Sequence, residues 1–270
     1  MKSPKILGLI AGGGELPMAF AEQARSLGYS LKVAALRGEA SPRIGRSDEP
    51  VCWISVGQLG SLISFFKKEK VHEAVMHGRV RHDRIFKSLK FDFKALTLLT
   101  RVKNRSGETL LKAVGNELAR EGIQILDARF LMKKHLIRKG VLTRLRPHPS
   151  EMNNISYGLS MARKLAHLAI GQTLAVKKGA VVAVEAMEGT NETIRRAGLL
   201  AGKGMVLIKT ASPQQDWRFD VPTVGLKTLE YLVRARASGL IVEAGRCFLL
   251  EKEKVIEFAN RHKVFIESVS

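Results

Sequence analysis

The chain reads as an α/β protein built of two α/β domains, the N-terminal one Rossmann-like, joined by a linker. Three observations predict this. Short apolar runs alternate with segments of helical apolar spacing. A triple glycine, Gly12-Gly13-Gly14, follows the first apolar run. A basic, proline-broken stretch, Arg144 and Arg146-Pro147-His148-Pro149, interrupts the alternation near the middle. The expected division is 1–138 for the first domain, 139–152 for the linker and 153–270 for the second. A length of 270 residues suits about two domains.

Each element has its own signal. Ile6 to Ala11 is a continuous apolar run, as a strand buried on both faces requires. After the glycines, a helix runs to about Leu27, where Gly28 breaks it. Leu31 to Leu36 is the second strand, which completes a βαβ opening. A helix over 59–70 and a strand over 71–76 continue the pattern. Leu110, Leu111, Val114 and Leu118 give the segment 107–120 a helical apolar face. Ile123 to Leu126 is a further short strand. Beyond the linker, a helix spans 153–169 and strands fall near 173–176, 181–185, 205–209 and 240–243. Helices are expected near 190–201, 226–237 and 252–261.

Composition narrows the function classes. Forty-five Lys and Arg against 25 Asp and Glu give a net charge of +20. That surplus favours anionic partners: phosphate esters, or the anionic face of a membrane. The cations are dispersed, and no zinc-finger, RNP or KH signature occurs, so no specific nucleic-acid partner is expected. No apolar stretch approaches the roughly 20 residues of a membrane span, and the N-terminus lacks a signal peptide's pattern. Two cysteines, Cys52 and Cys247, make no disulfide framework, and the cytoplasm is the expected compartment.

The candidate chemistry gathers where apolar runs end. Gly12 and Gly13 allow backbone amides to approach an anion at a helix N-terminus. The spacing is not that of the G-x-G-x-x-G fingerprint, which disfavours a dinucleotide oxidoreductase. His72, His77 and His82 are spaced by five and lack partners at metal-ligand spacing. His72 and His82 read as surface residues, and His77, before Gly78, as structural. Glu185, Glu188, Gly189 and Thr190 follow one apolar run, with Thr190 as helix cap, and Lys209 closes another. Asp216, Arg218 and Asp220 alternate, so an extended segment would put them on one face. Carboxylates beside Lys and Arg suit Mg²⁺-assisted phosphoryl chemistry. A surface ion-pair network is the plainer reading of the same residues.

Several separated motifs, in order, resemble one family: Gly8 to Pro17, Val141 to Arg144, Ile170-Gly171-Gln172, Ala183 to Thr190, Arg218 to Gly225, and Glu243-Ala244-Gly245. It is the UDP-2,3-diacylglucosamine pyrophosphatase family of lipid A biosynthesis, in the form unrelated to calcineurin-type metallophosphoesterases. The resemblance implies two α/β domains with the active site between them. It implies Mg²⁺-dependent hydrolysis of UDP-2,3-diacylglucosamine to UMP and 2,3-diacylglucosamine 1-phosphate (lipid X). It places the essential aspartate at Asp220, with Asp216 as a second metal ligand. Substrate contacts are implied at Gly12, Gly13, Gly78, Arg79, Glu185, Glu188, Gly189, Thr190, Lys209 and Arg218. Arg79 and Ser212 depart from the family pattern. A lipid substrate further implies an enzyme peripheral to the anionic inner-membrane surface. The competing class is a non-catalytic nucleotide-binding or regulatory module on the same fold.

Overall fold

A computed structural model describes residues 4–45, 48–80, 91–102 and 107–270. The α/β class is as expected. By internal contacts the chain forms two compact units, 1–133 with 216–220, and 134–215 with 221–270. The segment Asp216–Asp220, placed by the sequence in the second domain, therefore packs with the first unit.

The first unit opens with strand β1 (Ile6–Ala11), helix α1 (Leu16–Ser26), β2 (Ser30–Leu36), β3 (Val51–Ile54), α2 (Leu59–Lys68), β4 (Glu73–His77), α3 (Phe93–Arg101), α4 (Gly107–Arg120) and β5 (Gln124–Ile125). The sheet order is β3-β2-β1-β4-β5, with every pairing parallel. The strand order reverses between β1 and β4. Crevices at such switch points are where open α/β sheets take ligands. Five of the six residues of β1 are buried, because helices cover both faces of a parallel sheet. Pro17, Phe20, Ala21 and Ala24 give α1 its buried stripe. Ile10, Ala34, Phe66, Ala74, Leu118 and Ile123 share one core, with Phe219 packed against it. Sequence reasoning passed over β3 and α3. β3 is only Val51-Cys52-Trp53-Ile54, too short for a period to show. His82 lies outside the described residues.

The second unit holds β6 (Gly140–Val141), α5 (Met152–His167), β7 (Thr173–Lys177), β8 (Ala180–Val184), α6 (Thr190–Ala201), β9 (Val206–Lys209), β10 (Thr223–Val224), α7 (Leu226–Arg234), β11 (Gly239–Glu243), β12 (Phe248–Leu249), α8 (Lys252–Arg261) and β13 (Phe265–Val269). Its sheet is mixed, in the order β6-β13-β11-β9-β7-β8. β9, β11 and β13 run parallel, and β7 is antiparallel to β9 and β8. Consequently the carboxyl ends of β8, β9 and β11 and the amino end of β7 all lie at one edge. One face of the sheet packs Leu207, Leu240 and Ile266 against α6, α7 and α8 residues including Ile194, Leu229 and Val255. The other packs Ile208, Ile241 and Phe265 under Ile155, Ala162 and Leu165 of α5. Each such Leu, Ile, Val or Phe side chain contributes about 1.5–3 kcal/mol on burial.

The stretch 139–152, expected as a linker, is built into this unit. Gly140 and Val141 pair antiparallel with β13, and the Thr143 hydroxyl accepts the Ile266 amide at 2.9 Å. Backbone donors and acceptors along the β13 edge recruit the stretch despite its prolines.

At the end of α5, Ala169 and Ile170 donate to the carbonyls of Ala166 and Leu165, which closes the helix in a Schellman turn. Ala169 takes φ of 54° there, a conformation that glycine adopts at less cost. Ala169→Gly is expected to stabilise the protein by about 0.5–1 kcal/mol in urea denaturation. An unchanged or lower midpoint would contradict this.

Candidate active site

In the first unit, the glycine turn sits at the β1–β4 switch point, where α1 begins. The Gly12 amide donates to the His77 carbonyl at 2.8 Å. Gly13 and Arg79 exchange two backbone hydrogen bonds, at 2.8 and 3.0 Å. An added Cβ on Gly12 would lie 2.7 Å from the Arg79 carbonyl oxygen. One on Gly78, whose φ is 91°, would meet the Gly13 carbonyl oxygen at 2.7 Å. The two turns are thus glycine because their backbones touch each other. The α1 N-terminus has no side-chain cap, which leaves its dipole available to an anion. Gly78→Ala is expected to cost about 2–3 kcal/mol of stability, from left-handed strain plus backbone overlap. A loss below about 1 kcal/mol by chemical denaturation would show that the turns can separate freely.

His77 ends β4 beneath this turn. It is buried, its ring lies 4.7 Å from that of Phe20, and its Nε2 has no hydrogen-bond partner. Burial lowers its pKa from 6.5 to about 3, so the imidazole is neutral. The structural role expected for His77 fits this environment. His72, by contrast, is exposed.

The segment 216–220 is a turn, so the shared face that an extended segment would give Asp216, Arg218 and Asp220 does not form. The Asp216 carboxylate accepts the Arg218 amide at 3.2 Å, its Nε at 3.0 Å and its Nη2 at 2.8 Å. An Asp that accepts the amide two residues on nucleates a turn, and that local bond overrides the alternation. The Arg218 guanidinium holds the Asp216 carboxyl below the usual carboxylate range. Phe219 packs against Gly115 of α4, while Trp217 accepts the Ala128 amide and stacks under Arg129. Asp220 is exposed at the end of the turn. Arg218 lines an open hollow of about 570 Å³ with His72, Glu73 and Gln124. Those residues lie at the amino end of β4, and the glycine turn lies beyond its carboxyl end. Arg218 and Gly12 are therefore separated by roughly the length of β4, about 16 Å.

The second unit gathers three candidates into one network at its common strand edge. Lys209 is buried, and its ammonium donates to the hydroxyls of Thr190 at 3.0 Å and Thr173 at 3.2 Å. The Thr190 hydroxyl in turn donates to Glu185 at 2.7 Å. Among the described residues, no carboxylate comes within 4.0 Å of the Lys209 nitrogen. A buried ammonium is costly without a counter-charge, and it carries three donors, two of which are accounted for here. Thr190 is not the helix cap expected: Gly189 is the cap residue of α6, and the Thr190 hydroxyl serves Glu185 and Lys209 instead. Glu188 accepts Arg196 at 2.9 Å and the Ala186 amide at 3.1 Å, which organises the loop. Thr173 escaped sequence reasoning, since a Thr opening a buried strand carries no pattern of its own.

A resident metal cage is not evident: no three His, Cys, Asp or Glu side chains cluster among the described residues. Mg²⁺ commonly needs only one or two carboxylates plus substrate phosphates. The exposed Asp220 fits that requirement. Asp216 fits it only if Arg218 turns away from its oxygens.

Comparison with known proteins decides the family. The profile of the LpxI N-terminal domain matches residues 6–135, and that of the LpxI C-terminal domain matches 138–267. The chain belongs to the LpxI family. The UDP-2,3-diacylglucosamine pyrophosphatase LpxI of Caulobacter vibrioides is 34% identical over 275 residues, which covers 97% of each chain. Among solved structures, glycinamide-RNase-transformylase T from Mycobacterium tuberculosis is 16% identical, with a TM-score of 0.24. That match covers 67% of this chain and 44% of that one, and it carries no functional weight. The family boundary at 135–138 lies close to residue 133, where the first unit's main run ends. No helix among the described residues is long and apolar enough to cross a membrane.

Proposed function

We propose that this protein hydrolyses the pyrophosphate bond of UDP-2,3-diacylglucosamine to UMP and 2,3-diacylglucosamine 1-phosphate. The observation that carries the reading is the 34% identity, end to end, with a pyrophosphatase of that name. The buried Lys209, held by hydroxyls and not by a carboxylate, is consistent with an anionic ligand. Its charge and the dipole at the α6 N-terminus, beside Gly189 and Thr190, would hold phosphate oxygens. The uncapped N-terminus of α1 offers a second place for an anion, whereas the Gly12, Gly13 and Arg79 amides beside it are already donated to backbone carbonyls.

Asp220 is assigned the catalytic role. Its carboxylate would take a proton from the attacking water as the new P–O bond forms. The bridging P–O bond breaks, and its electrons stay with the leaving phosphate. Arg218, released from Asp216, would meet the charge that develops on the phosphates. Mg²⁺, held by Asp220 and the substrate, and by Asp216 once Arg218 has moved, would supply charge neutralisation. The test is direct: purified protein, UDP-2,3-diacylglucosamine and Mg²⁺, followed by phosphorus NMR. Appearance of UMP and the sugar 1-phosphate supports the reading. Absence of turnover with retained UMP binding would favour the non-catalytic module.

A further inference from the structure

A lipid substrate must be met at a membrane, and the second unit carries an apolar lip beside the Lys209 network. Leu168 and Ile170, on the loop leaving α5, are 66% and 52% exposed. Met187, on the loop between β8 and α6, is 61% exposed. The two loops abut: a Cβ added to Gly171 would lie 2.1 Å from the Glu185 carbonyl oxygen. The Gln172 amide also reaches the Glu185 carboxylate at 3.4 Å. Single exposed apolar residues are ordinary, but these three share one rim at the edge that carries Glu185, Thr190 and Lys209.

We propose that Leu168, Ile170 and Met187 seat this edge on the surface of an anionic lipid bilayer. The inference rests on the lipid-substrate reading for its biological sense. Charge selects the occupant. Lys164 and His167 stand exposed on the last turn of α5 beside the lip. The nearby acids are engaged, Glu185 by Thr190 and Glu188 by Arg196. A net charge of +20 attracts anionic headgroups, whereas it opposes docking of a second copy. Leu199 and Leu200, 75% and 67% exposed, lie near the far end of α6. They are about 14 Å along the helix from Thr190, and serve as a built-in control.

The experiment is flotation of the full chain with vesicles of phosphatidylethanolamine and phosphatidylglycerol, without substrate. Wild type is expected to float. Leu168→Ser/Ile170→Ser/Met187→Ser should lose roughly tenfold of its vesicle partition, with Leu199→Ser/Leu200→Ser within about twofold of wild type. Circular dichroism reports folding, and Met187→Ser alone, expected to weaken binding in the same direction, replaces the triple variant if that unfolds. On vesicle-borne substrate the lip variant should raise KM with kcat unchanged. The proposal is overturned if wild type stays in solution, if the lip variant floats like wild type, or if sedimentation shows that the lip variant has lost a dimer. Flotation needs no turnover, so failure of the hydrolase reading would appear separately, as vesicle binding without product.

Discussion

Asp220→Asn will bind substrate and turn it over about a thousandfold more slowly than wild type, the usual scale for losing a general base. The substitution keeps the volume and removes the charge. A group that acts mainly in the transition state affects kcat more than KM. Asp220 is exposed at the end of the 216–220 turn, and a thermal melt of the variant shows whether the rate loss is read in folded protein. Asp216→Asn provides the contrast. It breaks the Asp216–Arg218 pair that shapes the turn, and should lower both stability and activity. If folded Asp220→Asn hydrolyses UDP-2,3-diacylglucosamine within about tenfold of wild type, roughly 1.4 kcal/mol of barrier, Asp220 is not the catalytic group.

Acidification will destabilise the protein through His77. In the native state this imidazole stays neutral down to about pH 3, whereas in the unfolded chain it protonates near 6.5. Between those values the unfolded state binds more protons, so stability falls as pH falls. At pH 5 the loss relative to neutral pH is about 2 kcal/mol, and it grows further toward pH 3. His77→Phe removes both the titration and the unpartnered Nε2, and keeps a ring against Phe20. Its stability between pH 7 and pH 5 should be flatter by that same 2 kcal/mol or so in guanidinium denaturation. Equal slopes for variant and wild type would refute the assignment. So would an NMR titration showing His77 protonated in the folded protein near pH 6.

Most of the regular elements were legible because their signals are local. The buried run Ile6 to Ala11, the glycines after it and the helical spacing of 107–120 need no distant partner to be read. The strands β3, β10, β12 and β13 and the helix α3 were not anticipated; two-residue strands such as β10 and β12 hold no period of their own. The linker reading of 139–152 failed for a related reason. Prolines and charges mark a break in local structure, yet the open edge of β13, far along the chain, supplied a partner for Gly140 and Val141.

The candidate site divides in the same way. The sequence by itself determined which groups are available: glycines after β1, acids and a lysine at the ends of apolar runs, and an excess of positive charge. It also determined the family, since ordered motifs survive without any knowledge of contacts. Tertiary structure decided what each group touches. It joined Lys209, Thr190 and Glu185, spread over 25 positions from Glu185 to Lys209, because β8, β9 and the α6 N-terminus end at one edge. It explained Gly12 and Gly78 by the approach of one backbone to another. It bent Asp216–Asp220 into a turn around Arg218 and packed it with the first unit. Residue types and their spacing are properties of the chain, but a hydrogen bond or a backbone contact depends on which distant strands lie side by side, and only burial of the sheet faces settles that.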